Sequence, residues 1–178
     1  MTGQSRSLTV YGIIVSLLTL VPFSASAQSP QFLGTYRDWN VYKFTDGDQT
    51  ICYIASEPKD QEGNYTRRDR PALLVTRRPG NPVVDEVSVQ PGYSYLDGTE
   101  VDVQIDRNRE FKLFTRGEHA WTKSEQADKD LIGAMRRGSD MTVRGTSIKN
   151  TYSLDTYSLM GFTAAYNAMA DACVGEQS

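Results

Sequence analysis

The sequence has few of the residues and motifs on which most enzymes depend. It contains a single histidine, His119, and two cysteines, Cys52 and Cys173. There is no paired-histidine or paired-cysteine zinc motif, no Gly-x-Ser-x-Gly nucleophile motif and no glycine-rich phosphate loop. These absences predict a protein without catalytic residues, metal or cofactor. One alternative stays open, a hydrolase that uses His119 or the carboxylate pair Glu100 and Asp102.

A long apolar run occurs only at the N-terminus. Residues 8–23 carry no charge, Arg6 precedes them, and Ala25-Ser-Ala27 follows as a small-x-small pattern. This arrangement predicts a secretory signal peptide over residues 1–27, cleaved between Ala27 and Gln28. A retained anchor helix is the alternative, but the run is shorter than the roughly 20 residues that span a bilayer.

The remaining chain, residues 28–178, has the length of one domain with a single core. The whole sequence has a net charge of -3, and removal of Arg6 makes it -4, so bulk affinity for nucleic acid is not expected. No further apolar stretch is long enough to span a membrane. We therefore expect a soluble exported protein in the periplasm, with possible association with the outer membrane or cell surface.

The two cysteines lie far apart in the exported chain. An even number of cysteines in an oxidising compartment favours a disulfide, here Cys52–Cys173. It would close a loop of about 121 residues, which the loop-entropy model values at roughly 4–5 kcal/mol before strain is subtracted. Two buried free thiols are the alternative.

Most of the sequence follows the two-residue period of β-strands. In residues 99–105, Val101, Val103 and Ile105 alternate with polar residues, as in a strand with one buried face. A turn at 106–109 and renewed alternation predict a hairpin, and Asp46-Gly-Asp48 predicts another. The predicted strands cover residues 39–44, 49–55, 72–76, 83–90, 99–105, 110–114, 141–146 and 152–159. Short strands with frequent turns favour a mainly β sandwich or barrel.

Two segments have helical character instead. Residues 124–137 begin at a potential N-cap, Ser124, and end before Gly138, which stands where a C-terminal cap glycine belongs. The second predicted helix covers residues 161–172, where apolar residues recur at helical spacing. Cys173 continues this apolar face, so a disulfide to Cys52 would attach the C-terminal helix to an early strand.

Positive charge is concentrated in one region. Five arginines occur within twelve positions, and with Lys59 they give residues 57–80 a net charge of +2. Arginine binds carboxylates, sulfates and phosphates through its planar fork, and Tyr65 could add a stacking surface. If the loop and strand fold back, these cations could form one patch; otherwise they are solvated charge. The candidate binding residues are Lys59, Tyr65, Arg67, Arg68, Arg70, Arg77 and Arg78.

A series of short motifs resembles the invasion-associated locus B family, in order over nearly the whole exported chain. The motifs are DWNV at 38–41, CYIASEP at 52–58, EGNYTR at 62–67, LVTRRP at 74–79, EVSV at 86–89, PGY at 91–93, FKLF at 111–114, AW at 120–121 and DTYSLMGFTAA at 155–165. The resemblance implies an exported alphaproteobacterial protein with an immunoglobulin-like antiparallel β-sandwich. Some members are linked to virulence and host-cell invasion, and the resemblance implies no catalytic residue.

The resulting hypothesis is a non-enzymatic binding module in the periplasm or at the cell surface. Loops at the ends of a sandwich are common recognition sites, and residues 57–71 form the longest polar loop. The expected partner is a protein or an anionic component of the envelope or host surface. An envelope-stabilising protein without a discrete ligand is a further alternative to the hydrolase.

Overall fold

The computed structural model describes residues 29–47, 49–78, 80 and 84–174. The predicted signal peptide and its cleavage site lie outside these residues. Over the described part of the chain, eleven strands and two helices form. In chain order they are β1 (Gln31–Tyr36), β2 (Trp39–Asp46), β3 (Gln49–Ser56), β4 (Asp60–Gly63), β5 (Ala72–Arg78), β6 (Val84–Gln90), β7 (Glu100–Ile105), β8 (Arg109–Arg116), β9 (His119–Trp121), α1 (Glu125–Met135), β10 (Asp140–Thr146), β11 (Tyr152–Ser158) and α2 (Phe162–Val174).

All strand pairs are antiparallel and belong to one continuous sheet. Its order is β1-β2-β3-β5-β6-β9-β8-β7-β10-β11-β4. Both hairpins predicted from turn residues are present: β2 pairs with β3 up to Asp46 opposite Gln49, and β7 pairs with β8. The predicted mainly β class with two short helices is confirmed.

Three strands were not predicted, and two of them lie at the edges of the sheet. β4 is composed of Asp-Gln-Glu-Gly, which has low strand propensity, and every residue in it is exposed. It is extended because the edge of β11 offers it hydrogen-bond partners, from Gly63 opposite Ser153 to Asp60 opposite Thr156. The predicted loop 57–71 is therefore corrected: β4 interrupts it, and residues 57–59 and 64–71 remain loop.

The sheet bends over a single core, so that its distant strands meet in a sandwich-like arrangement. The indole N–H of Trp39 on β2 donates to the carbonyl of Ser158 on β11, at 3.0 Å. Trp39 is fully buried, and so are the alternating residues Val101 and Val103 of β7. The apolar faces of both halves of the sheet thus share one interior, as the alternating pattern predicted.

Both helices pack against the same half of the sheet, α1 against β6 and α2 against β2 and β3, and they touch each other where the Thr163 hydroxyl donates to the Arg136 carbonyl at 3.3 Å. The predicted N-cap of α1 is confirmed, because the Ser124 hydroxyl accepts a hydrogen bond from the Ala127 N–H at 3.2 Å. Helix α2 packs against β2 and β3, with the Phe162 ring edge-on to Trp39 at 4.9 Å between centroids. Each helix buries the apolar face that its sequence period indicated.

Gly138 is not the left-handed cap that its position suggested. It is not among the glycines with positive φ. A Cβ atom at this position would instead collide with the Ile105 side chain and approach Leu159 Cδ1 at 2.9 Å. Glycine stands here because the chain after α1 passes close to the core.

The predicted disulfide is present between Cys52 and Cys173, with 5.9 Å between their Cα atoms. Cys52 lies on the buried face of β3, and Cys173 lies in the last turn of α2. The bond attaches α2 to a strand near the other end of the described chain.

Candidate functional site

The structure does not bring the five arginines together. Arg67, Arg68 and Arg70 precede β5, whereas Arg77 and Arg78 end it. A seven-residue strand is roughly 20 Å long. The arginines therefore form two groups at opposite ends of β5, and each group has a different environment.

Arg68 is an internal residue. Its side chain is 3% exposed and forms an ion pair with Asp155 on β11, which is 2% exposed. The two groups meet through paired hydrogen bonds, one of them 2.8 Å between Arg68 Nη1 and Asp155 Oδ2. Burial by itself lowers the pKa of Arg68, but Asp155 more than compensates, so that this pKa is raised and the guanidinium stays charged. Arg68 is therefore an anchor for its loop.

Several further contacts hold the loop around Arg68. The Arg68 guanidinium also donates to the Pro91 carbonyl and to Gln61 Oε1, and the Tyr65 ring covers it at 4.6 Å. The Asn64 side chain accepts from the Tyr152 N–H at 2.7 Å, and the Asp69 N–H donates to the Gly92 carbonyl at 2.9 Å. Loop 64–71 is consequently fixed by β11 on one side and by the segment that follows β6 on the other.

Arg77 is also engaged inside the protein. Its Nε and Nη2 atoms donate to the carboxylate of Asp85 at 2.7 and 2.6 Å, and Nη2 also contacts the hydroxyl of Tyr166 on α2. The Tyr166 hydroxyl donates to the same carboxylate at 2.5 Å. This cluster connects two strands to α2, so Arg77 has a structural position. Its neighbour Arg78 is exposed and lies 3.5 Å from Glu86.

Two cations of the loop face outward. The Arg70 side chain is 88% exposed, and it contacts Glu57 at 3.5 Å, where that side chain is itself 66% exposed. Arg67 is exposed and has no ion-pair partner among the described residues. Lys59, the remaining cation of the predicted set, is paired with Asp38 outside the loop.

Arg67 lies at the rim of a shallow groove of about 260 Å³. On one side are Tyr65 and Arg67, and on the other are Ile148 and Lys149 in the turn between β10 and β11. Ile148 is 60% exposed, and Lys149 is also exposed. The groove therefore combines two cations, an aromatic ring and an exposed aliphatic side chain, which suits an anionic partner with some apolar surface.

The residues that the sequence offered for catalysis are each engaged by a neighbouring side chain. The imidazole Nε2 of His119 lies 2.9 Å from the Gln90 side-chain amide, and the ring stacks on Trp121 at 5.3 Å. His119 lines a depression near Asp69 and Glu118. Glu100 and Asp102 are held in ion pairs with Lys123 and Lys112. Each of these three side chains therefore has a hydrogen-bond or ion-pair partner.

No cluster of three potential metal ligands occurs among the described residues. In the same part of the chain, no helix is long and apolar enough to cross a membrane.

The sequence interpretation missed the partners of the loop. Asp155 lies on β11 at a position whose alternate neighbours Ser153 and Tyr157 are buried. A carboxylate on the buried face of a strand needs a cation or hydrogen-bond donors beside it, and this signal could have indicated an internal arginine. Ile148 and Lys149 carried no such signal, because only the fold brings their turn beside Arg67.

Comparison with known proteins defines the class of this protein. The chain forms a mainly β, sandwich-like domain with a disulfide and a cationic loop that is fixed in position. The family model for the invasion associated locus B (IalB) protein matches residues 39–170, and the chain belongs to this family.

One solved structure shows the same fold. It is the crystal structure of invasion associated protein B from Bartonella henselae, with a TM-score of 0.58 and 18% sequence identity. The match covers 82% of this chain and 97% of that chain. Comparison with curated proteins gives no match.

Proposed function

We propose that this chain is an exported, non-enzymatic binding module that recognises an anionic partner through loop 64–71. The observation that carries the proposal is that the arginines of this loop have different environments. Arg68 is buried against Asp155, while its neighbours Arg67 and Arg70 point their charges into solvent. The buried ion pair thereby holds exposed cations in place before a partner arrives, which reduces the entropy lost on binding.

Several observations support export and a binding role. The IalB family is associated with exported proteins and is not a known enzyme family. The signal-like segment at residues 1–27 agrees with export to the periplasm or cell surface. The name of the Bartonella henselae protein associates that protein with invasion. We propose a comparable surface contact for this chain, with a protein or an anionic surface component as the partner.

A crosslinking pull-down from intact cells and from a host-cell lysate tests this proposal. The baits are the exported chain, the variant Arg67→Glu/Arg70→Glu, and the control variant Arg107→Glu/Arg109→Glu. The control has the same charge change, but it lies at the β7–β8 turn, where Ile105 pairs with Met141 at the start of β10. The groove lies at the opposite end of β10, beside Ser147.

We expect a partner that the unaltered and control baits retain and that the loop variant loses. Binding should also weaken with added salt, because both cations are exposed. Competition with a polyglutamate peptide and with a heparin oligosaccharide then separates a protein partner from a sulfated glycan. Equal capture by all three baits would show that the loop is not the recognition site.

A further inference from the structure

A second surface feature lies away from the arginine loop. An open depression of about 390 Å³ is formed where β6, β8 and β9 meet the beginning of α1. No residue of loop 64–71 lines it. Its walls combine two aromatic rings, Phe114 and Trp121, with side chains of both charges. This volume falls within the usual range for small-molecule sites, roughly 300–1,000 Å³.

The aromatic wall is held in position by the sheet. Phe114 and Trp121 are direct partners across β8 and β9, with ring centroids 5.7 Å apart. His119 stacks on the indole at 5.3 Å with only 10° between the planes, and it does not line the depression. His119 and Phe114 thus hold the indole in place, and the indole contributes a preformed apolar surface to the depression. Neighbouring Ala120 is fully buried, which confirms that Trp121 lies on the outer face of the sheet.

The charged groups indicate what kind of ligand fits. Glu86 and Glu125 line the depression together with Arg116 and Lys123, and a third carboxylate, Asp128, is largely buried in its wall, where it accepts a hydrogen bond from the Val87 N–H. Some of these charges already have partners, since Lys123 contacts Glu100 at 2.6 Å and Glu86 faces Arg78 at 3.5 Å. A strongly charged ligand would meet repulsion from one sign or the other. A neutral ligand with hydroxyl groups can instead donate to the carboxylates and accept from the cations.

From this combination we infer a binding site for an uncharged oligosaccharide, with one sugar ring lying against Trp121. A pyranose has an apolar C–H face and a polar rim, so it matches an aromatic platform surrounded by hydrogen-bonding groups of both kinds. Glu86 and Arg116 would bind its hydroxyls. The site is independent of the anionic recognition proposed above, because the two surfaces share no lining residue.

The chain offers a convenient reporter for this site. Its two tryptophans differ in environment: Trp39 is fully buried, whereas Trp121 is half-buried and lines the depression. Titration of the exported chain with cellotetraose, maltotetraose and tetra-N-acetylchitotetraose should give a saturable change in tryptophan emission with at least one of them. Calorimetry on the same samples gives the affinity without an optical signal.

Variants locate the binding. Trp121→Ala should abolish the emission change and weaken calorimetric binding about tenfold or more, while Trp39 emission continues to report the folded core. Glu86→Gln, which preserves the shape of the depression, should weaken binding without affecting unfolding. The loop variant Arg67→Glu/Arg70→Glu should bind the oligosaccharide normally even if it loses the anionic partner.

Three results would overturn the inference. The first is no saturable binding of any of the three oligosaccharides up to about 10 mM, where even a millimolar site would be largely filled. The second is binding that Trp121→Ala leaves unchanged. The third is a heparin tetrasaccharide that binds this site more tightly than every neutral probe, since that would exclude an uncharged ligand as the preferred class.

Discussion

Asp155 accepts paired hydrogen bonds from Arg68, a residue 87 positions earlier, and both side chains are almost completely buried. The pair joins the loop after β4 to the penultimate element of the fold. It also determines which loop arginines remain available to a partner, because the charge of Arg68 is already neutralised.

Removing one member of this pair should be costly. Arg68→Ala leaves the Asp155 carboxylate buried without its cation, and we expect the free energy of unfolding to fall by about 3–5 kcal/mol. Denaturant unfolding measures this change. Arg70→Ala is the matched control and should change stability by less than about 0.5 kcal/mol, because that side chain is exposed.

Replacing both members should cost less than replacing one. Within the described residues, Arg68 Nε and the nearby Tyr157 hydroxyl have no hydrogen-bond partner, so the polar cluster is not fully satisfied. We expect Arg68→Met/Asp155→Leu to be more stable than Arg68→Ala in the same unfolding experiment. A double variant as unstable as the single one would show that the ion pair is required as such.

The disulfide should contribute several kcal/mol to the free energy of unfolding. It closes a sequence separation of 121 residues, for which the loop-entropy model gives about 4–5 kcal/mol. Cys52→Ala/Cys173→Ala should lower the free energy of unfolding by up to this amount. The unaltered chain, unfolded without reductant, should not react with a thiol label, and two labelled thiols per chain would contradict the bond.

Asp128 should make the free energy of unfolding depend on pH, with a contribution that is lost as the pH rises. Burial raises its pKa above the ordinary value, despite the hydrogen bonds that it accepts from the Val87 N–H and Thr122. The folded state thus holds this proton more tightly than the unfolded chain. The resulting stabilisation is fully present below the unfolded pKa and is lost as the pH rises through the folded pKa.

Asp128→Asn isolates this effect, since asparagine can still accept the Val87 hydrogen bond. Relative to the unaltered protein, the variant should gain stability as the pH rises from about 3 to 7. Unfolding at several pH values measures the difference, and Asp130→Asn, exposed on the same helix, is the control. A difference that stays constant with pH would exclude a raised pKa.

Replacement by alanine should have opposite effects on stability at two glycines near the end of α1. Gly138→Ala would drive a methyl group into Ile105 and Leu159, and we expect a loss of about 1–3 kcal/mol. Gly133 lies inside α1, and the nearest side-chain atom to an added Cβ is Arg137 Nη1 at 3.7 Å, so Gly133→Ala should stabilise the protein by about 0.5–1 kcal/mol. Thermal unfolding of both variants tests the pair, and destabilisation by both would contradict it.

The features predicted correctly were those with a local signal. The hairpin of β7 and β8 was visible because Val101, Val103 and Ile105 alternate, and α1 was visible because Ser124 begins an apolar helical period. β4 could not be predicted, because its four polar residues are extended only through pairing with β11. Asp155 on the buried face of β11 was a signal for an internal cation, but not for which one, since a guanidinium looks the same in sequence whether it is buried or solvated.

The sequence by itself determined the mainly β class, the two helices, the pairing of the only two cysteines and the region in which positive charge is concentrated. The fold class and the helices follow from periodicity and capping, which depend on residues close in sequence. The cysteine pairing follows from composition, because two cysteines allow only one disulfide. Only the tertiary structure decided that Arg68 is an anchor, that Arg67 faces a groove with Lys149, and that Trp121 lines an open depression. These relationships join residues distant in sequence, so they exist only once the sheet has bent over its core.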